Sequence, residues 1–184
     1  RFKIANAINA SPEQILFTSG GTESNNQVLW SMLKIPNSHV ISNTIEHPAV
    51  IKVLKHLKPL GLDYSLVKVD KNGLVSLNEL DKCITPKTRL VSVMMSNNEI
   101  GTIQPIKSII KLIREKNILM HTDAVQCLGK IAIDIKKLDV DFLSLSAHKF
   151  YGPKGIGVLY VKNKKTIESL LIGGSQESGL RGGT

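Results

Sequence analysis

Ile15-Leu16-Phe17-Thr18-Ser19-Gly20-Gly21-Thr22-Glu23-Ser24-Asn25-Asn26 decides the fold class of this chain. A short apolar triplet, Ile15 to Phe17, reads as a strand. Two glycines follow, and the run from Gly21 to Lys34 reads as a helix. The same alternation continues outward. Val40-Ile41 is a strand, and Pro48 to Leu57 a helix with apolar residues at Val50, Val53, Leu54 and Leu57, the helical spacing. Pro48 suits a first helical turn, where its missing N–H costs nothing. Tyr64 to Val69 is a strand, closed by the turn Asp70-Lys71-Asn72-Gly73. Leu90 to Met94 is nearly all apolar, as in a strand covered on both faces. Ile106 to Arg114 is a helix. Ile118 to Met120, Phe142 to Leu145 and Gly157 to Val161 are strands. Strands alternating with helices predict an α/β fold with a mostly parallel sheet flanked by helices.

Composition narrows the function classes. The 184 residues are 42% apolar, enough for a core without disulfides or a structural metal. No run of 18 apolar residues occurs, so no membrane span is expected. No charged-then-apolar leader is visible, so no secretory signal is expected. Two cysteines, Cys83 and Cys127, argue against a disulfide scaffold and suit a reducing compartment. The net charge of +9 comes from 24 Lys plus Arg against 15 Asp plus Glu. Only Arg1, Arg89, Arg114 and Arg181 are arginines, and aromatics are 4% of the chain, so bidentate phosphate recognition and base stacking have little to work with. The charge reads as a lysine-rich solvated surface, with no nucleic acid as partner.

In open α/β sheets ligands bind beyond the carboxyl ends of the strands. After Phe17, Gly20 and Gly21 open a helix whose N–H groups suit an anion, and the Thr22 hydroxyl adds a donor; a plain tight turn would look the same. This is neither a GxxxxGK[ST] nor a GxGxxG loop, so no nucleotide is implied. After Ile45, His47 at a helix entrance suits stacking on an aromatic ring, or simply capping. After Met95, Asn97 and Asn98 suit hydrogen bonds to a phenolate oxygen or a substrate, or a turn. After Met120, Asp123 is costly to bury unless it meets a cation, such as a protonated ring nitrogen, or caps the next turn. After Leu145, Lys149 stands beside His148. A lysine desolvated there is an amine nucleophile for Schiff-base chemistry; a solvated surface lysine is the plainer reading. Together these are the equipment for pyridoxal 5'-phosphate.

The segments TSGGTESNN (18–26), EHPAV (46–50), NNEIGTIQPI (97–106), HTDAVQ (121–126), SAHKFYGPKGIGVLY (146–160) and ESGLRGGT (177–184) closely resemble the cysteine desulfurases of the nitrogen-fixation and iron–sulfur-cluster type, within the class-V aminotransferase family. The resemblance implies a fold-type-I pyridoxal-phosphate large domain. It makes Lys149 the Schiff-base lysine and general base, Asp123 the partner of the pyridinium nitrogen, and Gln126 the donor to the phenolate oxygen. His47 would stack on the ring and assist proton transfer. Gly21, Thr22, Ser146 and His148 would hold the phosphate, and Asn98 would touch cofactor and substrate. Thr184 would reach the phosphate of the neighbouring subunit in a homodimer. No metal is implied.

The family chain is longer. Residues 1–184 would be the central part of the large domain, without the amino-terminal segment and the carboxyl-terminal small domain. The loop cysteine that accepts sulfur lies in that missing part, and neither Cys83 nor Cys127 matches it. Ser178 stands where the family has arginine. The implied activity is removal of sulfur from L-cysteine, giving L-alanine and an enzyme persulfide. The sulfur would pass to scaffold or carrier proteins for iron–sulfur clusters or tRNA thiolation, in the cytoplasm or an organelle matrix. The alternatives are an aminotransferase or selenocysteine lyase on the same scaffold, and a non-catalytic interaction fragment. The isolated chain is expected to be inactive.

Overall fold

Ile106, Ile109, Ile110 and Ile113 recur at helical spacing and all four are buried, so one stripe of Ile106–Arg114 faces a sheet. The same logic builds each layer of the computed structural model, which describes residues 1–183; Thr184 lies outside the described residues. Seven strands form one sheet: β1 (Ile15–Thr18), β2 (His39–Asn43), β3 (Asp63–Val67), β4 (Thr88–Ser92), β5 (Leu119–Asp123), β6 (Phe142–Ser146) and β7 (Gly157–Val161), in the order β1-β7-β6-β5-β4-β2-β3. The helices are α1 (Phe2–Ala7), α2 (Gly21–Ser31), α3 (Pro48–Leu57), α4 (Leu77–Cys83), α5 (Ile106–Arg114) and α6 (Ile135–Leu138).

Alternating strand residues divide the core. Val40, Leu90, Phe142 and Leu159 join Val28 and Leu29 of α2 and Val50 and Leu54 of α3 on one face. Ile41, Val91, Met120 and Leu143 join the isoleucines of α5 on the other. A sheet covered on both faces explains why Leu90 and Val91 are both fully buried. No helix of the described residues is long and apolar enough to cross a membrane.

The sheet is mostly parallel, as the sequence predicts, and the details differ as follows. Strands β3, β2, β4, β5 and β6 pair in parallel, but β7 runs antiparallel to both β6 and β1. The chain between β6 and β7 makes only a short 3-10 turn, Ala147–Phe150, and a glycine-rich loop, and carries no crossover helix. The helix from Gly21 ends at Ser31 and tightens into a 3-10 turn over Met32–Lys34, because Pro36 cannot continue it. And β5 extends through His121, Thr122 and Asp123, beyond the apolar run. His121 is tolerated inside the sheet because Ser92 and Ser144 hydroxyls partner its two ring nitrogens at 2.8 and 3.0 Å. Burial pushes that imidazole down to about 3, so it stays neutral. Helices α1, α4 and α6 have no counterpart in the sequence reading. The Ser-x-x-Glu pattern before α4 was a usable signal: Ser76 Oγ accepts the Glu79 N–H at 3.3 Å.

The glycine opening β7 lets that strand approach the glycine turn before α2. A Cβ on Gly157 would stand 2.5 Å from the backbone Cα and carbonyl carbon of Gly20, so the two glycine segments touch directly. Gly157→Ala should therefore cost about 1–3 kcal/mol by overpacking against rigid backbone. Thermal denaturation checks this; an unchanged Tm would show that the two segments do not touch.

Candidate active site

Nine residues singled out from the sequence line one cavity of about 290 Å³ at the carboxyl edge of the sheet: Gly21, Thr22, His47, Asn98, Asp123, Gln126, Ser146, His148 and Lys149. They arrive from five places. Gly21 and Thr22 open α2, His47 caps α3, Asn98 follows β4, Asp123 ends β5 with Gln126 three residues on, and Ser146 ends β6 with His148 and Lys149 just beyond.

Asp123 is the centre. Its Oδ2 accepts Asn25 Nδ2 at 2.7 Å, and its Oδ1 accepts the Val125 N–H at 3.0 Å. It thus does cap the next turn, and also faces the cavity. Burial pushes its carboxyl above the usual range; the Val125 N–H, the Asn25 amide and the neighbouring His47 pull the other way without cancelling that effect. Among the described residues no lysine or arginine forms an ion pair with it. Asn25 also lines the cavity, and its Oδ1 is buried without a partner. No motif in the sequence singled out Asn25. Its place four residues after Gly21 in a helix, hence on the same face, was the available signal.

His47 combines both readings of it. Its Nδ1 accepts the Ala49 N–H at 3.1 Å, capping α3, while the ring lines the cavity. An Nδ1 that accepts leaves the proton of the neutral ring on Nε2. The tandem amides divide their work. Asn97 is buried and structural, its Oδ1 accepting the Glu99 and Ile100 N–H groups at 2.8 and 3.0 Å, whereas Asn98 faces the cavity. Gln126 Oε1 accepts Lys130 Nζ at 3.0 Å, which leaves the amide N–H groups free to donate. Lys149 is exposed at the rim, so it is not a desolvated lysine in this chain.

The α2 end of the cavity suits an anion. The first N–H groups of a helix have no internal partner, and its dipole is positive there. Ser146 Oγ lies 3.0 Å from His148 Nδ1 beside them, and an adjoining hollow reaches Lys154 and Gly155. A Cβ on Gly21 would meet Val125 Cγ2 at 2.5 Å, so glycine keeps this corner open. The nearby Glu23 carboxylate is neutralised by Arg181, Nε to Oε1 at 2.7 Å. Ser178, the departure noted above, receives Lys164 Nζ on its hydroxyl at 3.0 Å. Among the described residues no cluster of three or more His, Cys, Asp or Glu side chains is placed to hold a metal.

A helix-capped α/β sheet with its ligand cavity at this edge is the architecture of the fold-type-I pyridoxal-phosphate enzymes. Comparison with known proteins carries this further: the family described as aminotransferase class-V matches residues 1–181. The cysteine desulfurase IscS of Clostridium botulinum (strain Kyoto / Type A2) is 47% identical over 187 residues, covering 100% of this chain and 47% of the relative. The solved structure of a NifS-like protein superposes with a TM-score of 0.95 at 43% identity, covering 100% of this chain and 52% of that one. A structure titled SspA in complex with cysteine gives 0.92 at 41% identity, covering 98% and 54%. The chain belongs to the class-V aminotransferase family. It spans about half the length of the curated relatives it matches. The cofactor of the family is pyridoxal 5'-phosphate, and this cavity fits it: an anion corner that a Cβ would fill, and a buried carboxylate lacking a cation.

Cys127 lies near Asp123 but is 1% exposed, and burial together with the Asp123 carboxylate pushes its thiol up to about 12, against the pull of Lys130. It is a core residue, as is usual for free cysteine. In the folded protein at mildly alkaline pH, Ellman's reagent should leave Cys127 unmodified and react with half-buried Cys83 alone. Denaturant should release the second thiol. Rapid labelling of Cys127 in the native state would contradict this placement.

Proposed function

We propose that this chain is the central part of the large domain of a cysteine desulfurase, which takes sulfur from L-cysteine and leaves L-alanine and a persulfide. The observation that carries the reading is the buried Asp123 carboxylate, without a cationic partner, in one cavity with the Lys149 amine. The relatives named as cysteine desulfurases and the SspA structure with cysteine support the substrate.

Bound pyridoxal phosphate supplies an electron sink for charge formed at the substrate α-carbon. The residues of this chain do the rest. Asp123 keeps the ring nitrogen protonated and so sustains that sink. The α2 N–H groups at Gly21 and Thr22, with Ser146 and His148, hold the phosphate. Gln126, its oxygen occupied by Lys130, turns its amide N–H groups to the phenolate oxygen. His47 would stack on the ring, and its Nε2 holds a transferable proton. Lys149 would hold the cofactor through its amine and would take the proton from the substrate α-carbon; its exposure leaves it open to an incoming amine. Asn98 contacts cofactor and substrate. The homodimer contact expected of Thr184 lies outside the described residues.

In this reading the persulfide forms on a cysteine outside residues 1–184, since a sulfur carrier must swing between a buried site and an outside acceptor. The acceptors are scaffold or carrier proteins for iron–sulfur clusters or tRNA thiolation, in the cytoplasm or an organelle matrix.

Borohydride treatment of the cofactor-loaded protein should bleach its visible band, and peptide mapping should place the label on Lys149. Label on another lysine would refute the assignment. Asp123→Asn keeps the shape of the side chain and removes the charge. In the full-length parent protein it should lower L-cysteine turnover by at least ~100-fold, the scale of losing a preorganised electrostatic contact, with a much smaller loss of cofactor affinity. Alanine release measured beside a cofactor titration separates the two effects; turnover at the unsubstituted rate would make Asp123 a turn cap only.

A further inference from the structure

Glu46 is a second buried carboxyl beside Asp123, and the chemistry above gives it no task. It is 6% exposed. Its Oε1 accepts the Met94 N–H at 2.6 Å and Asn43 Nδ2 at 2.5 Å, while Oε2 is buried with no partner. An ionised carboxylate in such a place needs a cation or a full set of donors. Asn43 and Met94 supply two neutral donors to one oxygen. The charged and titratable groups near Glu46 are Asp123 at the end of β5, itself an acid, and His47, its neighbour in sequence.

Met94 lines the cavity and opens the segment leading to Asn98; Glu46 directly precedes His47. Asn97 Nδ2 donates to Ile45 O at 2.9 Å, and the Ile45 N–H donates to Asn43 Oδ1 at 2.9 Å, so the two segments are joined around this carboxyl. We propose that Glu46 is a positioning residue of the cofactor site: buried and uncharged, it fastens the segment carrying His47 to the segment carrying Met94 and Asn98, and it leaves Asp123 as the single anion presented to the cofactor. The proposal rests on the pyridoxal-phosphate reading of the cavity for its second part, and on hydrogen bonds alone for its first. Burial, together with the Asp123 carboxylate, pushes the Glu46 carboxyl up to about 8, against the pull of Met94 and Asn43, which agrees with an uncharged side chain at neutral pH.

Two substitutions test it. Glu46→Gln keeps an acceptor for Met94 and Asn43 in a neutral side chain; Glu46→Leu removes the acceptor. Because the folded-state value lies above the unfolded one of 4.5, the folded protein retains a proton that the unfolded chain releases. The native protein therefore loses stability as pH rises from the ordinary carboxylate range to about 8, and Glu46→Gln has no such loss. The Tm of Glu46→Gln should gain on that of the native protein across this window and hold a constant lead above it. Parallel curves would overturn the uncharged assignment, whether or not the cofactor reading holds. In the cofactor titration Glu46→Gln should bind pyridoxal phosphate within about threefold of the native protein, and Glu46→Leu at least ~10-fold more weakly, the scale of an unsatisfied buried N–H. Equal weakening by Gln and Leu would overturn the positioning role. If Leu does not fold, weakening by Gln beyond that range overturns it by itself. A native protein that binds no pyridoxal phosphate would refute the proposed function, while the Tm comparison would still decide the charge of Glu46.

Discussion

A carboxylate buried at the end of the central strand, without a cation to meet it, is the constraint around which this structure is arranged. Asp123 closes β5, the fourth of seven strands, where both faces of the sheet are covered and water is scarce. One amide, one backbone N–H and the neighbouring His47 lower the cost of ionising it there, but burial still raises its carboxyl. Ionising such a group costs stability, and a cationic ring placed against it lowers that cost. The stability lost by burying Asp123 is thus linked to binding, because a ligand that pairs with it stabilises the folded state preferentially.

The surroundings of Asp123 follow from that need. Asn25 reaches it from α2, the helix whose amino-terminal N–H groups form the anion corner, so one helix serves both that corner and Asp123. His121 sits two residues earlier on the same strand and face. It is kept neutral and bonded to Ser92 and Ser144, which lets the sheet carry a polar row beside the cavity without adding a charge that would compete for Asp123. Glu46, uncharged in our account, obeys the same rule from the β2 side. Neutral polar groups stand around Asp123, and its carboxyl faces the cavity.

Much of this was legible in the sequence, for an identifiable reason. Parallel strands end in polar residues that water or a ligand must satisfy, so Asp123, His47 and Lys149 stood out directly after apolar runs, and the structure does bring them to one cavity. The apolar periodicity of Val50 to Leu57 and of Ile106 to Ile113 located α3 and α5 because those helices bury a single stripe. Other features depend on partners far along the chain. His121 looks like a residue beyond a strand until Ser92 and Ser144 are beside it. The reversal of β7 is set by the absence of a crossover helix, which the glycine-rich loop hints at without deciding. The exposure of Lys149 and the burial of Glu46 come from how the loops fold over the edge of the sheet, and hydropathy predicts the opposite for the glutamate.

The central claim is that Asp123 supplies the negative charge that keeps a pyridinium protonated in this cavity. Nitrogen-15 NMR of the protein loaded with pyridoxal phosphate labelled at the ring nitrogen observes that proton directly. The account predicts a pyridinium shift that persists to alkaline pH in the native protein and collapses toward that of neutral pyridine in Asp123→Asn. An unprotonated ring nitrogen in the native protein, or one whose protonation is indifferent to Asp123, would contradict it.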